Sequence, residues 1–448
     1  MCSLQFPQIL PQTKNSFYKK TMIFPILLLL AVLFINFTAT SAESQGTWVK
    51  RVNFGGGERT AAAAFAIGSK GYIGTGHTGF TYSKDFWEYN PANNSWTQKT
   101  DFGGVARVGA TGFSIGSKGY IGIGNDDVSY KNDFWEYDPS TNSWTQKTNF
   151  GGTARAYATG FTIGSKGYIG TGHTGSVPTK DFWEYDTSAN SWAQKADFGG
   201  TARAYATGFS IGTKGYIGTG SDLGGYDNDF WEYNPSSNSW TQKADFGGSA
   251  RFSATGFSLG NKGYIGTGND GVDKKDFWEY NPSSNTWTQI SDLPDSCREN
   301  ASAFSVGEVA YVGTGTDWVN FFADIHAFVS KTIETSPLSS DTLMLGIGIT
   351  VSYTTSGTFS SSNTFTVQLS DSSGNFTSPT VIGTLEDSAS SGDISCTIPY
   401  NVTVGTTYRI RVVSNDPNIP FTVPGSDNGS NVTILSPWTQ KANFGGTA

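Results

Sequence analysis

Six arginines recur along the chain at an almost constant interval. If their guanidinium groups formed a ring, that ring could bind a ligand. The interval is 48 residues between the first five and 47 before the last. Around one channel mouth such groups would favour an anionic ligand. We favour a structural role instead, in which each arginine pairs with a repeated carboxylate, such as Glu88 or Glu136, or with backbone carbonyls. The six are Arg59, Arg107, Arg155, Arg203, Arg251 and Arg298.

One short segment in each copy changes its sequence while its flanks stay the same. The six segments read HTGFTYSK, NDDVSYKN, HTGSVPTK, SDLGGYDN, NDGVDKK and TDWVNFFA, and they begin at residues 77, 125, 173, 221, 269 and 316. Loops on a rigid scaffold usually carry recognition, and aromatic side chains suit sugar or protein surfaces. Solvated turns without a ligand are the alternative. The predicted ligand-binding face comprises His77, Tyr82, Asp126, Asp127, Tyr130, His173, Asp222, Tyr226, Asp270, Trp318, Phe321 and Phe322.

No catalytic residue, metal site or cofactor is predicted. The acidic loops around Asp126 and Asp270 could offer oxygen ligands to calcium, but they do not match EF-hand spacing, and turn chemistry explains them equally well. The sequence has no phosphate-binding glycine loop followed by Lys-Ser/Thr and no Cys-x-x-Cys pair. We therefore expect a binding protein and not an enzyme.

The elements that position these residues belong to a unit repeated almost verbatim. Each unit contains four short β-type runs, which in the first copy are residues 61–67, 71–75, 85–90 and 95–100. Glycine, asparagine, proline and serine bound the runs, as is typical of short strands joined by tight turns. One such four-stranded sheet cannot bury its own faces, so the repeats must stack.

The unit resembles the kelch repeat, in which an apolar strand, an aspartate-led strand with a tyrosine, an N-x-W close and an arginine follow one another. It departs from that pattern at the glycine pair, which reads Gly74-Thr75-Gly76. The first copy matches at Tyr72, Asp85, Tyr89, Trp96 and Arg107.

The resemblance implies an all-β, six-bladed propeller over residues 43–330. The sixth copy lacks a tryptophan strand, whereas Trp48 precedes Arg59 by the same 11 residues that separate Trp96 from Arg107. The N-terminal strand is therefore expected to complete the last blade and close the ring, which removes free sheet edges. Related families include exported sialic-acid mutarotases and copper-radical galactose oxidases. The oxidase site needs two histidines, two tyrosines and a cysteine linked to one tyrosine, and it cannot be assembled here, because His77 and His173 lie in equivalent loops of different blades and Cys297 is the only cysteine in the predicted propeller.

After residue 330 the repeat stops and another β pattern begins. We expect a linker over residues 331–338 and an immunoglobulin-like β-sandwich over 339–435, since Phe365, Val367 and Leu369 alternate with polar residues. FTVQLSDSSGNF and TIPYNVTVGTTYRIRVVSNDP are similar to immunoglobulin-like modules of secreted bacterial surface proteins. Residues 436–448, SPWTQKANFGGTA, predict the start of a truncated further kelch repeat.

The chain begins with a pattern typical of an export signal. Three lysines precede the apolar run at residues 22–35, and small residues follow it, so residues 1–42 are predicted to be a signal peptide. A retained anchor is the alternative. The net charge of −8 argues against nucleic-acid binding, and no membrane contact is expected beyond surface association. Cys297 and Cys396 are placed in different domains and are not expected to form a disulfide.

The sequence therefore predicts a secreted or cell-surface protein that recognises a protein or a carbohydrate through loops on one propeller face. Two alternatives remain open: a carbohydrate-directed enzyme similar to the sialic-acid mutarotases, and a purely structural surface repeat protein.

Overall fold

The computed structural model describes residues 46–416 and 418–437, which contain 34 β-strands. Five repeat sheets are each formed by four consecutive antiparallel strands. Sheet 1 has β2 (Ala63–Ile67), β3 (Lys70–Gly74), β4 (Phe86–Asn90) and β5 (Ser95–Gln98); sheet 2 has β6 (Thr111–Ile115), β7 (Lys118–Gly122), β8 (Phe134–Asp138) and β9 (Ser143–Lys147); sheet 3 has β10 (Thr159–Ile163), β11 (Lys166–Gly170), β12 (Phe182–Asp186) and β13 (Ser191–Gln194); sheet 4 has β14 (Thr207–Ile211), β15 (Lys214–Gly218), β16 (Phe230–Asn234) and β17 (Ser239–Gln242); sheet 5 has β18 (Thr255–Leu259), β19 (Lys262–Gly266), β20 (Phe277–Asn281) and β21 (Thr286–Ile290).

Repeat sheet 6 draws its strands from both ends of the repeat region. Three are consecutive, β22 (Ser302–Val306), β23 (Val309–Gly313) and β24 (Ile325–Val329), and the fourth is β1 (Thr47–Arg51). β1 pairs antiparallel with β24, with Trp48 opposite Phe328. The described repeat region is therefore all-β and built from four-stranded antiparallel sheets, as a kelch propeller requires.

Neighbouring sheets pack through aromatic rings and glycines. The buried Phe65 ring of sheet 1 lies over Gly119 of sheet 2, where an added Cβ would stand 2.3 Å from the ring. Trp144 of sheet 2 contacts Phe86 of sheet 1 edge-on, with 5.0 Å between ring centroids. Because an edge-on aromatic contact stabilises beyond its buried area, the repeated Gly-Tyr and Phe-Trp dipeptides set how closely the sheets approach.

Six residues, one from each repeat sheet, are linked by backbone hydrogen bonds into a cycle. Each donates its N–H to the carbonyl of the equivalent residue in the preceding sheet, at 2.9–3.1 Å, and the first donates to the last. All six have a φ between 50° and 62°, in the left-handed region. They are Ala61, Gly109, Tyr157, Tyr205, Ser253 and Asn300.

The C-terminal part is also all-β and contains three sheets. Their strand orders are β25-β27-β30, β29-β28-β32-β33 and β26-β34-β31. The strands are β25 (Thr332–Thr335), β26 (Thr342–Met344), β27 (Gly348–Ser356), β28 (Thr364–Leu369), β29 (Thr380–Glu386), β30 (Ser391–Thr397), β31 (Gly405–Tyr408), β32 (Ile410–Ser414), β33 (Val423–Asp427) and β34 (Val432–Leu435).

The segment 331–338 is not the linker that the sequence suggested. Its residues 332–335 form β25, which pairs with β27. Ile333 and Thr335 point inward, and the Thr335 hydroxyl donates to the Ser426 carbonyl at 2.7 Å. The ammonium of Lys331 is buried between Asp416 at 2.7 Å and Glu308 at 2.8 Å. A strand and a buried ion pair thus join the two parts of the chain. The few inward side chains of β25 are enough to hold this polar strand in place.

Several predictions concern residues that the structure does not describe. The predicted signal peptide at 1–42 and most of the predicted further repeat, residues 438–448, lie outside the described residues. Within the described residues, no helix is long and apolar enough to cross a bilayer. Cys396 is a buried free thiol, so Cys297 and Cys396 are not bridged.

Candidate functional site

The six repeated arginines are buried in their own sheets, and their guanidinium groups face no solvent. Arg155 donates to the two carboxylate oxygens of Asp181 at 2.6 and 2.8 Å and to the Thr171 carbonyl at 2.9 Å. Its guanidinium also lies over the Phe150 ring, 5.1 Å from the centroid. Burial alone would raise the pKa of Asp181, but the hydrogen bond and charge of Arg155 outweigh it and lower that pKa.

The partner carboxylates are aspartates and not the glutamates that we expected. In every repeat sheet the arginine pairs with the aspartate that precedes the third strand; these are Asp85, Asp133, Asp181, Asp229, Asp276 and Asp324. Glu88 instead lies directly opposite Tyr72 in the strand register and accepts its hydroxyl at 2.7 Å. The arginines therefore offer no open ring of cations to an anion.

Each variable loop is held beside the residue that follows its arginine. In sheet 1, the backbone of His77 forms isolated antiparallel β-bridges with Thr60 and with Tyr82. Equivalent pairs of β-bridges occur in the other five sheets. His77 accepts the Gly79 N–H on Nδ1 at 3.1 Å, and His173 accepts the Gly175 N–H at 2.9 Å. All six loops therefore emerge at the same end of the sheets, and both histidines stabilise turns.

Several predicted binding residues make interactions that stabilise the structure around them. Asp126 accepts the Ser129 N–H at 2.8 Å, Asp222 accepts the Gly224 N–H at 2.6 Å, and Asp270 pairs with Lys274 at 2.9 Å. The Phe322 ring lies 4.3 Å from the Arg298 guanidinium, which makes it part of the arginine's surroundings.

The remaining predicted residues form small aromatic groups near the loops. Tyr82 and Phe321 both contact His77, with ring centroids 5.3 and 5.7 Å away. Tyr130 lies 6.2 Å from the ring of His173. Asp127, Tyr226 and Trp318 are exposed, and Tyr226 contacts Phe252 at 4.9 Å. The structure thus keeps the predicted residues at one end but divides them among separate loops.

Exposed apolar side chains at the loop tips were missed by the prediction, apart from Trp318. Every loop carries at least one, with exposed fractions from 47% to 91%. Large apolar side chains exposed together commonly mark interaction surfaces. We name this set the apolar crown; it comprises Phe80, Val128, Val177, Leu223, Val272, Trp318 and Val319.

The cycle of six left-handed residues surrounds a narrow opening, which we call the mouth. A cavity of about 140 Å³ opens there, lined by these six residues and by the alanine that follows each of them. The rings of Tyr157 and Tyr205 contact each other across adjacent sheets, with centroids 4.3 Å apart. The mouth is thus narrow, and its lining combines six alanines with a second residue that differs between most of the sheets.

Glu299 is the sequence neighbour of Asn300, which lines the mouth. The residue is 2% exposed; its Oε1 accepts the Asn300 amide at 3.0 Å, and its Oε2 has no hydrogen-bond partner among the described residues. Burial, and next the charge of Asp273, raise the pKa of Glu299 to about 7, although the Asn300 amide and the nearby Trp318 indole act in the opposite direction. An incompletely hydrogen-bonded buried carboxyl of this kind marks a candidate functional group.

The charge of Glu299 also affects the pKa values of the two tyrosines that line the mouth. Burial and the charges of Tyr130 and Glu299 raise the pKa of Tyr205 to about 12, and burial, followed by neighbouring acidic groups that include Glu299, raises the pKa of Tyr157 further. Glu299 precedes the strands of sheet 6 and the tyrosines precede those of sheets 3 and 4, so this charge interaction joins residues of different repeats.

One sequence signal would have revealed the mouth. The two residues after each arginine form five different pairs in six copies, as in Thr60-Ala61, Ala156-Tyr157 and Glu299-Asn300, although the flanking arginine and alanine do not change. The prediction of a binding face used only the longer loops, because more residues vary there, and so it missed these two positions.

A possible metal-ligand group also lies within the described residues, away from the mouth. Asp295, Asp324 and His326 offer ligand atoms within 4.8 Å of one another. Arg298 pairs with Asp324 at 2.6 Å and Lys50 with Asp295 at 3.2 Å. Both carboxylates therefore already have cationic partners, which disfavours a metal there.

Comparisons with known proteins agree with the repeat architecture. Residues 154–315 match the family model described as the KLHDC2/KLHL20/DRC7 Kelch-repeats domain. The chain is similar to a solved structure titled "Structure of YjhT", with a TM-score of 0.53 and 16% identity, over 60% of this chain and 94% of that chain. At this identity the likeness concerns the fold alone. No curated protein matches the chain.

Proposed function

We propose that this chain is an exported binding protein whose six repeat sheets form a closed kelch propeller and whose C-terminal part is an immunoglobulin-like module. The cycle of inter-sheet hydrogen bonds and the pairing of β1 with β24 support closure. The buried apolar residues of β28 and β32 support the module. The apolar run near the N-terminus supports export to the cell surface or medium.

The ligand that we propose is a protein, bound at the end of the sheets where the loops emerge. The apolar crown carries this proposal, because it exposes large apolar side chains on all six loops around one mouth. Exposed aromatic and aliphatic groups such as Trp318 and Phe80 are typical anchors of protein interfaces. Kelch domains generally mediate protein–protein interactions, which favours the same class of partner.

A screen on protein and glycan arrays, followed by loop substitutions, tests this proposal. Trp318→Ser and Phe80→Ser together should weaken binding to a protein partner by at least about tenfold, because both remove central apolar contacts. Tyr400→Ser is the matched control, since Tyr400 is 75% exposed in the C-terminal part and Trp318 is 71% exposed. Equal binding by the crown variant and the control would refute the site, and capture by glycans alone would refute a protein partner.

A second function, that of a carbohydrate-directed enzyme, is favoured by Glu299 alone. Sugar mutarotation needs a base to remove the proton from the anomeric hydroxyl and an acid to protonate the ring oxygen. A carboxyl whose pKa lies near 7 is present in both forms at neutral pH and suits proton transfer.

Anomer interconversion measured by NMR distinguishes the two functions. An enzyme should accelerate the interconversion of a reducing sugar, sialic acids included, and Glu299→Gln should abolish the acceleration. If the wild-type rate equals that of buffer for every sugar tested, the mouth is not a mutarotase site.

A further inference from the structure

The outer strand of sheet 6 is held differently from the outer strands of the other five repeat sheets. In sheets 1–5 the third and fourth strands are consecutive and are joined by a tight turn, such as residues 91–94 between β4 and β5. In sheet 6 the chain runs from β24 into β25, and β1 arrives from the other end of the repeat region. A short turn lowers the entropy cost of pairing two strands, whereas a long connection raises it. β1 therefore depends more on contacts with its surroundings.

The C-terminal part supplies contacts at both ends of β1. At the first residue, the Thr47 hydroxyl donates to the Lys331 carbonyl at 2.8 Å, just beyond the end of β24. At the last residue, the Arg51 guanidinium lies over the Phe421 ring, 4.6 Å from the centroid, an attractive arrangement of cation and ring. Arg51 Nε also donates to the Tyr89 hydroxyl of sheet 1 at 3.3 Å. Arg51 thus connects β1 both with the C-terminal part and with the neighbouring sheet.

A continuous buried core fixes the C-terminal part against sheet 6. Tyr311 of β23 and Ile419 of the C-terminal part belong to the same cluster of buried apolar residues. The buried ammonium of Lys331 pairs with Glu308, in the turn between β22 and β23, and with Asp416. Separating the two parts would expose apolar surface and leave buried charges unpaired, and both are unfavourable. The contacts with β1 therefore come from a firmly held neighbour.

The segment after β1 forms the seam between sheets 6 and 1. The Phe54 N–H donates to the Ala323 carbonyl at 2.6 Å, and the Arg59 N–H donates to the Phe322 carbonyl at 3.0 Å. The variable loop of sheet 6, which carries Trp318 of the apolar crown, is thus hydrogen-bonded to the chain that leaves β1. Release of β1 would therefore loosen this loop.

We propose that the C-terminal part keeps the repeat region closed by holding β1 in sheet 6. It takes the place of the covalent turn that positions the outer strand in the other five repeat sheets. This inference rests on the closed propeller proposed above, adds what keeps it closed, and needs no ligand. Through the seam, the C-terminal part also determines how firmly the loop that carries Trp318 is held.

Hydrogen–deuterium exchange on the full chain tests the inference, with peptides that cover β1 as the readout. Phe421→Ser removes the ring beside Arg51, so the β1 amides should exchange about tenfold faster than in the wild type. The amides of Phe54 and Arg59 should follow, and those of sheet 3 should not change. Phe376→Ser is the matched control, because Phe376 is also half-buried and lies 4.2 Å from the guanidinium of Arg411 within the C-terminal part. It should change β1 exchange less than twofold.

Thr47→Val provides a second variant that cannot fail for lack of packing. It keeps the shape of the side chain and removes only the hydroxyl that donates to Lys331. The β1 amides should exchange about threefold to tenfold faster, as expected when one hydrogen bond is lost.

Two results would overturn the inference. One is equal β1 exchange in Phe421→Ser and Phe376→Ser, and the other is an equal acceleration in sheet 3, since the variant would then loosen the whole repeat region. If β1 exchanges freely in the wild type, the closed propeller is wrong as well. If β1 stays protected in the wild type, in Phe421→Ser and in Thr47→Val, the propeller is closed but the C-terminal part does not hold it.

Discussion

Replacing one repeated arginine should reveal how much each sheet depends on its buried ion pair. Arg155 is 1% exposed and donates to Asp181, the Thr171 carbonyl and the Thr179 hydroxyl. Arg155→Met keeps an apolar stem but leaves the Asp181 carboxylate without its cation. Removing one partner of a buried pair typically destabilises by about 3–5 kcal/mol, a large part of the 5–15 kcal/mol that usually holds a domain folded.

Urea unfolding followed by tryptophan fluorescence measures this loss. The matched control is Lys147→Met, which breaks the partly exposed pair with Glu136 at 3.1 Å and should lose no more than about 1 kcal/mol. In the double variant Arg155→Met/Asp181→Asn the loss should be smaller than the sum of the two single losses, because no unpaired charge remains.

The stability difference between wild type and Arg155→Met should also decrease as the pH falls. Because Arg155 holds the pKa of Asp181 below its ordinary value, the stabilisation is complete above that ordinary value and disappears as the pH falls through the lowered one. Wild type and Arg155→Met should therefore converge in acid. A loss below about 1 kcal/mol at pH 7 would show that the arginines behave as surface charges and would reopen the anionic-ligand interpretation.

The remaining predictions concern the junction, the mouth and the core thiol. Lys331→Met leaves Asp416 buried without its cation, so urea unfolding should show a loss of about 3–5 kcal/mol; a loss as small as that of Lys147→Met would mean that the junction pair is not strongly desolvated. Glu299→Gln should raise the melting temperature at pH 8 but not at pH 4, because a carboxyl whose folded pKa lies near 7 destabilises the fold only once it ionises; identical shifts at both pH values would contradict this. Cys396, whose pKa burial raises to about 12, should resist a thiol reagent at pH 8 until urea unfolds the chain, as read by peptide mass spectrometry; labelling in the folded state would show that the thiol is accessible.

The strands were predictable because their signals are local. The four predicted runs of the first copy correspond to β2–β5, with ends that differ by one to two residues. The inward alternation of Phe365, Val367 and Leu369 is confirmed, since all three are fully buried. β25 was missed because a strand that contains threonine and glutamate has the composition of a linker, and only its pairing with β27 distinguishes the two.

The partners of the arginines required the strand register. Glu88 and Asp85 are both repeated carboxylates, and the sequence alone does not say which one faces Arg59. In the structure, Glu88 lies opposite Tyr72, whereas Asp85 precedes β4 and accepts both the Arg59 guanidinium and the Trp87 indole. The mouth depends on still longer-range contacts, because only the hydrogen bond between sheets 1 and 6 brings Ala61 beside Asn300.

The backbone at the mouth gives a separate reason to regard its side chains as functional. All six residues of the hydrogen-bonded cycle have a positive φ, a conformation that disfavours most side chains by roughly 1–2 kcal/mol and that glycine adopts freely. Glycine occupies only one of the six positions, Gly109, whereas Tyr157, Tyr205 and Asn300 accept the strain. A scaffold alone would be more stable with glycine throughout. Positive φ also occurs at constant positions of the repeat, such as Thr171 and Asn190, but at the mouth the strained residues differ between most sheets, as is expected of a recognition site.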